Sequence, residues 1–319
     1  MMQITHMAQT KTPRRRFRLL VLFLCLLLVG GLAVGGSYAA RIIMDNYTLS
    51  HADPAMAALA DEAGMSHAGK LVFLRTHPQL VSDSQMQAVC SQNTAANNSN
   101  GFIEQGCYVT DTHRIFLRKM PDSLHKLEVS TAAYEMLHPV YISVSVLHKT
   151  AVDQAIETSY NRVKDADLEA QVANFAKTEP GARDLELFSL LATGYTGLSG
   201  DLTQYYAPYF DNLGASVAAN NQVKQLFKQS ESQLQTIKAQ IDGYDRLAKN
   251  AYSASVVRAR AGDQAGDDYY YNQYRQYLDQ ENAAINQYNS VLGSYNALVT
   301  EYNGSQPVSQ INQAQTVSQ

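Results

Sequence analysis

The strongest pattern of apolar and polar positions lies in the last third of the chain. From Val223, apolar residues return at alternating spacings of four and three: Phe227, Leu234, Ile237, Ile241, Tyr244, Ala248 and Ala251, with Ser230 as the weak member. That spacing is a heptad seam along one face of a helix. A second seam follows, with Tyr271, Leu278, Ile285, Leu292 and Val299 each seven apart. Tyr274, Glu281, Tyr288, Tyr295 and Tyr302 form its companion row, and Glu281 is the polar exception. Residues 261–268 are mostly polar, contain Gly262 and Gly266, and read as the turn between the two. The pattern predicts an antiparallel helical hairpin over 213–303, with arms of about 35 residues and roughly 50 Å. The tyrosines read as large seam residues whose hydroxyls reach water at the edge. Residues 304–319 are rich in Gln, Ser and Asn without periodicity and are expected to be disordered.

The middle of the chain mixes shorter signals. Lys70-Leu-Val-Phe-Leu-Arg75 reads as a strand, and Ser82 to Val89 as a short helix capped by Ser82 or Asp83. Residues 92–101 are rich in Asn, Ser and Gly and read as a loop. Cys107-Tyr-Val-Thr and Arg114-Ile-Phe-Leu-Arg118 read as a β-hairpin closed over Asp111-Thr112-His113. Leu127 to Leu147 is mostly apolar and predicts a buried helix, with a kink or an end at the proline after His138. Gln154 to Phe175 and Arg183 to Ala192 predict two further helices.

The N-terminus bears on location. Lys11, Arg14, Arg15, Arg16 and Arg18 precede an uncharged apolar run from Leu19 to Ala40. About 20 such residues span a bilayer as a helix. The basic side is expected to stay cytoplasmic, which exports everything after Arg41. This divides the chain into a cytoplasmic basic segment (1–18), a transmembrane helix (19–40) and a juxtamembrane connector (41–69). A cleaved signal peptide with Ser37-Tyr38-Ala39 as its small-residue site is the competing reading, and it exports the chain equally. Outside the apolar run the chain has two cysteines, Cys90 and Cys107, and an oxidising compartment predicts a disulfide between them. A net charge of -4 gives no reason to expect nucleic acid.

The candidate chemistry lies in Thr131-Ala-Ala-Tyr134-Glu135-Met-Leu-His138. A helical His-Glu-x-x-His puts two imidazoles on one face to bind zinc and a carboxylate beside them as general base. Here Glu135 and His138 fill the general-base and second-ligand positions, and Tyr134 stands at the first. Alone, a Glu-x-x-His is common by chance. In the plainer reading, Glu135 and His138, about one turn apart, hydrogen-bond each other or nearby backbone in a buried helix.

Several blocks in order extend the signal. Gly106-Cys-Tyr108 and Arg114-Ile-Phe-Leu precede Leu127-Glu-Val-Ser-Thr-Ala-Ala-Tyr-Glu-Met-Leu-His-Pro-Val-Tyr141. Downstream come Glu179-Pro-Gly-Ala-Arg183, Glu186-Leu-Phe-Ser-Leu-Leu-Ala-Thr-Gly194 and Asp201 to Phe210. Over about 70–210 these resemble a family of membrane-anchored, zincin-like (gluzincin-type) metallopeptidase domains of candidate-phyla bacteria such as Saccharibacteria. The resemblance implies a small zincin-like domain over 70–212. It also implies a metal site in which Tyr134 and Gly194 occupy the positions of lost ligands, while Phe188 replaces a nearby His. Only His138 of three implied ligands remains, and an open zinc site needs three protein ligands and a water.

The chain is therefore expected to be α+β, with an N-terminal transmembrane helix, the zincin-like domain and the helical hairpin. Its expected role is a non-catalytic binding or structural module of the cell envelope, a pseudopeptidase without a cofactor. Its expected partners are the lipid bilayer and another envelope protein or a peptide. Two alternatives stand beside it. One is an active, membrane-tethered zinc peptidase with replacement ligands drawn from Tyr134, Glu179, Asp184, Glu186, Asp201, His113 and His125. The other is a coiled-coil tether or adhesin.

Overall fold

A computed structural model of the chain describes residues 40–90, 104–178 and 181–303. Residues 1–52 form one unit and 53–319 a second, compact one. Of the first unit, residues 40–50 are helical, and Tyr47 stacks on His51 with ring centroids 4.0 Å apart.

The second unit opens with α1 (Pro54–Glu62) and α2 (His67–Arg75). The strand expected at 70–75 is thus a helix. Ser66 caps it by accepting from the Gly69 amide, and Leu71, Phe73 and Leu74 are buried. Short apolar runs do not separate strand from buried helix, and here the Ser66 cap starts a helix. Gly69 is required because a Cβ there would lie 2.1 Å from the Tyr209 carbonyl oxygen.

A three-stranded sheet of β1 (Gln79–Val81), β2 (Gly106–Val109) and β3 (Arg114–Arg118) has the order β1-β3-β2. β2 and β3 pair antiparallel, with Cys107 opposite Phe116, and His113 takes a positive φ of 52° in the turn. β1 joins β3 in parallel. Between β1 and β2 lies α3 (Asp83–Cys90), and the sulfurs of Cys90 and Cys107 are bonded.

Beyond the sheet the described chain is helical: α4 (His125–Ile142), α5 (Val146–Val163), α6 (Ala166–Thr178), α7 (Arg183–Gly194) and α8 (Gly200–Tyr206). The single helix expected from 154 to 175 is two, because Asp165 breaks the run and caps α6 through the Leu168 amide at 2.8 Å. α4 is buried nearly all round and runs through Pro139 to Ile142 rather than ending at His138. α4 and α7 form the centre. The packing is aromatic, with Phe188 5.4 Å from Tyr141 and 4.8 Å from Tyr206 between ring centroids. The Tyr206 hydroxyl donates to the Phe188 carbonyl at 2.7 Å.

Helices α9 (Gly214–Arg260) and α10 (Gln264–Asn303) form the hairpin, of 47 and 40 residues. Ile237 and Ile241 meet Ala284 and Ile285, while Ala248 and Ala251 meet Tyr274 and Leu278 near the turn. The arms therefore run antiparallel. α9 exceeds its expected length because its first turns belong to the domain. Ser216, Val217 and Ala219 are buried there, while Val223 closes a cluster with Met120, Leu124 and Leu127. Phe227, Leu298 and Tyr302 pack on that cluster, which fastens the base of the hairpin to the domain.

The expectation of an α+β fold with an N-terminal membrane helix is overturned: the described residues are mostly helical, with one small sheet. None of the described helices is long and apolar enough to cross a membrane. The apolar run at 19–40, apart from Ala40, lies outside the described residues, as do the loop at 92–101 and the tail from 304.

Candidate functional site

The buried face of α4 carries Tyr134, Glu135 and His138. The facing side of α7 contributes Glu186. Glu135, Glu186 and His138 are 3, 6 and 8 % exposed, so three ionisable groups share one water-poor place. His138 lies between the two carboxylates. Its Nδ1 is 3.3 Å from Glu135 Oε2, and its Nε2 is 3.6 Å from Glu186 Oε1. The Tyr134 hydroxyl donates to Glu186 Oε2 in a short hydrogen bond. Its ring meets the imidazole edge-on, with centroids 5.2 Å apart. The order Tyr134, Glu186, His138, Glu135 makes a polar chain across two helices.

Burial sets the charges in this chain. It favours neutral imidazole and pulls the His138 pKa down to about 4. Burial also pushes the Glu186 carboxyl up, while the Tyr134 hydroxyl draws it partly back. His138 Nε2 is buried and has no hydrogen-bond partner in this arrangement.

β2 closes the site on one side. A Cβ on Gly106 would fall 2.6 Å from Thr131 Cγ2 and 3.0 Å from Glu135 Cγ. Only glycine lets the strand approach the helix so closely. The Cys90–Cys107 bond ties the residue after Gly106 to α3. Sequence reading quoted Gly106 within a block but gave it no role. Pro139 also acts locally, because it has no amide to offer the Glu135 carbonyl one turn back.

The other expected positions scatter. Gly194 ends α7, about two turns beyond Glu186, and a Cβ there would meet only Asn220 and Leu190 within 4 Å. Phe188 is a core residue. Of the replacement ligands weighed on sequence, only Glu186 joins Tyr134 at His138. Asp184 pairs with Arg183 at 2.9 Å, and His113 Nδ1 is 2.8 Å from the Tyr108 hydroxyl. His125 lies 3.1 Å from both Glu62 and Glu128. Asp201 sits in the first turn of α8. Glu179 lies outside the described residues.

The zinc implied by the resemblance can be tested against these donors. His138 Nε2 and Glu186 Oε1 lie side by side, as two ligands of one ion would. A third is missing: Glu135 faces the opposite ring nitrogen, and the Tyr134 oxygen is engaged as a donor to Glu186. Among the described residues the one convergent set of His, Cys, Asp or Glu groups is Cys90, Glu104 and Cys107, whose sulfurs are already bonded to each other. The donors at His138 fall one short of an open zinc site.

No known protein family, curated protein or solved structure matches the chain.

Proposed function

We propose that the chain is a zincin-like pseudopeptidase of the cell envelope, acting as a non-catalytic binding or structural module. The carrying observation is the Tyr134–Glu186 hydrogen bond. Tyr134 stands at the first ligand position and uses its oxygen to hold a carboxylate of α7. The polar groups of the former catalytic helix then join α4 to α7 at the centre of the domain. The docked hairpin enlarges the same body and offers a long outer surface. The basic cluster and uncharged apolar run near the N-terminus support a position at the cell envelope. The Cys90–Cys107 bond accords with an oxidising compartment. Its partner would be another envelope protein or a peptide.

One observation favours a second reading. The unpartnered His138 Nε2 faces Glu186 Oε1 at 3.6 Å. A metal there would need the Tyr134 oxygen released from Glu186 and deprotonated to join His138 and Glu186 as the missing third ligand, and the chain would then be an atypical peptidase. Elemental analysis of the purified protein after dialysis, beside His138→Ala, separates the two. The proposal expects metal-free protein that unfolds cooperatively. Near-stoichiometric zinc that disappears in the variant would replace it with the peptidase.

A further inference from the structure

An apolar tip stands at the turn between α4 and α5. Ile142 ends α4, Ser143-Val-Ser145 makes the turn, and Val146-Leu147 opens α5. Val146 and Leu147 are 90 and 91 % exposed, the most exposed large apolar side chains among the described residues, and Ile142 is 48 % exposed. Val144 between them is partly exposed. Single apolar residues on a surface need no explanation, but four within six positions of one protruding turn do.

The backbone of the turn largely satisfies itself. The Ser143 amide donates to the Pro139 and Val140 carbonyls at 3.0 and 3.2 Å, and the Val144 amide to the Tyr141 carbonyl at 3.2 Å. The Ser145 carbonyl accepts from the amides of His148 and Lys149 at 2.9 and 3.0 Å. The Ser143 hydroxyl donates to the Val140 carbonyl at 2.7 Å. A turn wired in this way can leave water at little cost, because few of its polar groups lose a partner. The opening amides of α5 have no side-chain cap, which suits a depth where headgroup oxygens can accept from them.

Charge does not oppose entry. From Met136 to Val152 the sequence has no Asp or Glu. Lys149 folds back from the tip, with Nζ 2.9 Å from the Tyr141 ring centroid. Asp153, which accepts from the Tyr141 hydroxyl at 2.8 Å, and Asp184 offset its charge. Apolar contact therefore carries the attraction.

Size and position select lipid as the occupant. Four aliphatic side chains are far fewer than the roughly 20–30 residues a side of a stable protein interface. A few such side chains do suffice to enter the boundary of headgroups and acyl chains, and a chain already tethered to the membrane needs only weak insertion. The hairpin is fastened at Leu124 and Leu127, about 22 Å from Ile142 along α4 at 1.5 Å per residue. A tip seated in lipid thus leaves the base of the hairpin clear of the surface.

We infer that the α4–α5 turn seats the domain on the bilayer, with Ile142, Val144, Val146 and Leu147 inserted at the headgroup–acyl boundary. The inference rests on the reading of the N-terminal apolar run as a membrane anchor.

The chain has no tryptophan, so one introduced at the tip is a specific reporter. The full chain carrying Ile142→Trp is reconstituted in phosphatidylcholine vesicles with ordinary or brominated acyl chains. Brominated chains are expected to quench its emission about twofold, as for a ring at the acyl boundary. Adding Val146→Ser and Leu147→Ser should abolish the quenching and leave the unfolding midpoint unchanged, since both side chains are already exposed. Tyr269→Trp, near the hairpin turn, should stay unquenched. Retention of the chain on the vesicles through an alkaline carbonate wash reads the anchor separately. Retained chain without quenching would overturn the tip and leave the anchor; cross-linking of two copies through the tip would then assign this face to a second copy. Quenching of chain that the wash removes would support the tip and overturn the anchor. Quenching that survives the serine pair, or that appears equally at Tyr269→Trp, would overturn the tip.

Discussion

His138 Nε2 and Glu186 Oε1 stand 3.6 Å apart, on two helices that meet at the centre of the domain. The Tyr134 hydroxyl holds the other oxygen of the same carboxylate. Tyr134→Phe leaves a buried carboxyl without its donor and should cost about 1–3 kcal/mol in denaturant unfolding. Adding Glu186→Leu to that variant removes both partners, and most of the loss should return. Independent, additive losses from the two substitutions would show that the pair does not hold α4 to α7.

Gly106 is the tightest approach of the sheet to the helix. Gly106→Ala places a Cβ against Thr131 and Glu135 and should destabilise by about 1–3 kcal/mol, the usual cost of overpacking. Thr131→Ser beside it removes the methyl that the new Cβ meets, and should recover part of the loss. Thermal unfolding of the single and double variants checks this. An unchanged midpoint for Gly106→Ala would mean that β2 can withdraw freely.

The Cys90–Cys107 bond closes a segment with a sequence separation of 17. A closed loop of that size stabilises by about 3 kcal/mol in the chain-entropy account. Reduction, or the double Cys→Ser variant, should lower the unfolding midpoint. The loss should concentrate in hydrogen-exchange protection of 106–109, the strand that the bond ties to α3.

Arg118 is 4 % exposed and fastens three elements. Its Nε and Nη2 donate to the two oxygens of Asp83 at 2.7 and 3.0 Å, and its Nη1 donates to the Tyr302 carbonyl at 2.7 Å. That carbonyl lies in the last turn of α10, where a cation is favoured. Arg118→Lys keeps the charge but loses the fork. Faster hydrogen exchange over 295–303, with protection near the hairpin turn unchanged, is the expected result.

His125 gives a pH dependence of known sign. Glu62 on α1 and Glu128 on α4 face its two ring nitrogens, with Lys126 also on Glu62. The Glu62 contact outweighs partial burial and raises the His125 pKa above its ordinary 6.5. The contribution is therefore complete below about pH 6.5 and is lost as pH rises through the raised value. The group is partly exposed, so the effect is small. Unfolding midpoints taken from pH 6 to 9 should fall less in His125→Gln than in the parent chain. Parallel curves would show that the contact with Glu62 adds nothing.

Parts of this architecture were legible because their signals are local. The seams from Val223 and from Tyr271 meet as an antiparallel pair, since heptad spacing alone puts those side chains on one face of each helix. Gly106 to Arg118 reads as a hairpin because strand residues flank a polar turn. Where signals were short they misled. Lys70 to Arg75 carries strand-like residues, yet Ser66 caps a helix there and the packing of Phe73 keeps it. The α+β expectation failed in the same way, by giving a three-stranded sheet more weight than the helices around it.

By itself the sequence determined the helical arms, the sheet hairpin, and the positions of Tyr134, Glu135 and His138 one turn apart on a helix. Those follow from spacing within a few residues. Only the tertiary structure decided which distant group meets them. Gly194 and Glu186 lie on the same helix, but the packing of α7 on α4 brings Glu186 to His138 and leaves Gly194 at the far end of α7. The docking of the hairpin on Met120 and Leu127 was decided in the same way. Such contacts depend on how whole helices cross, and no spacing along the chain encodes that.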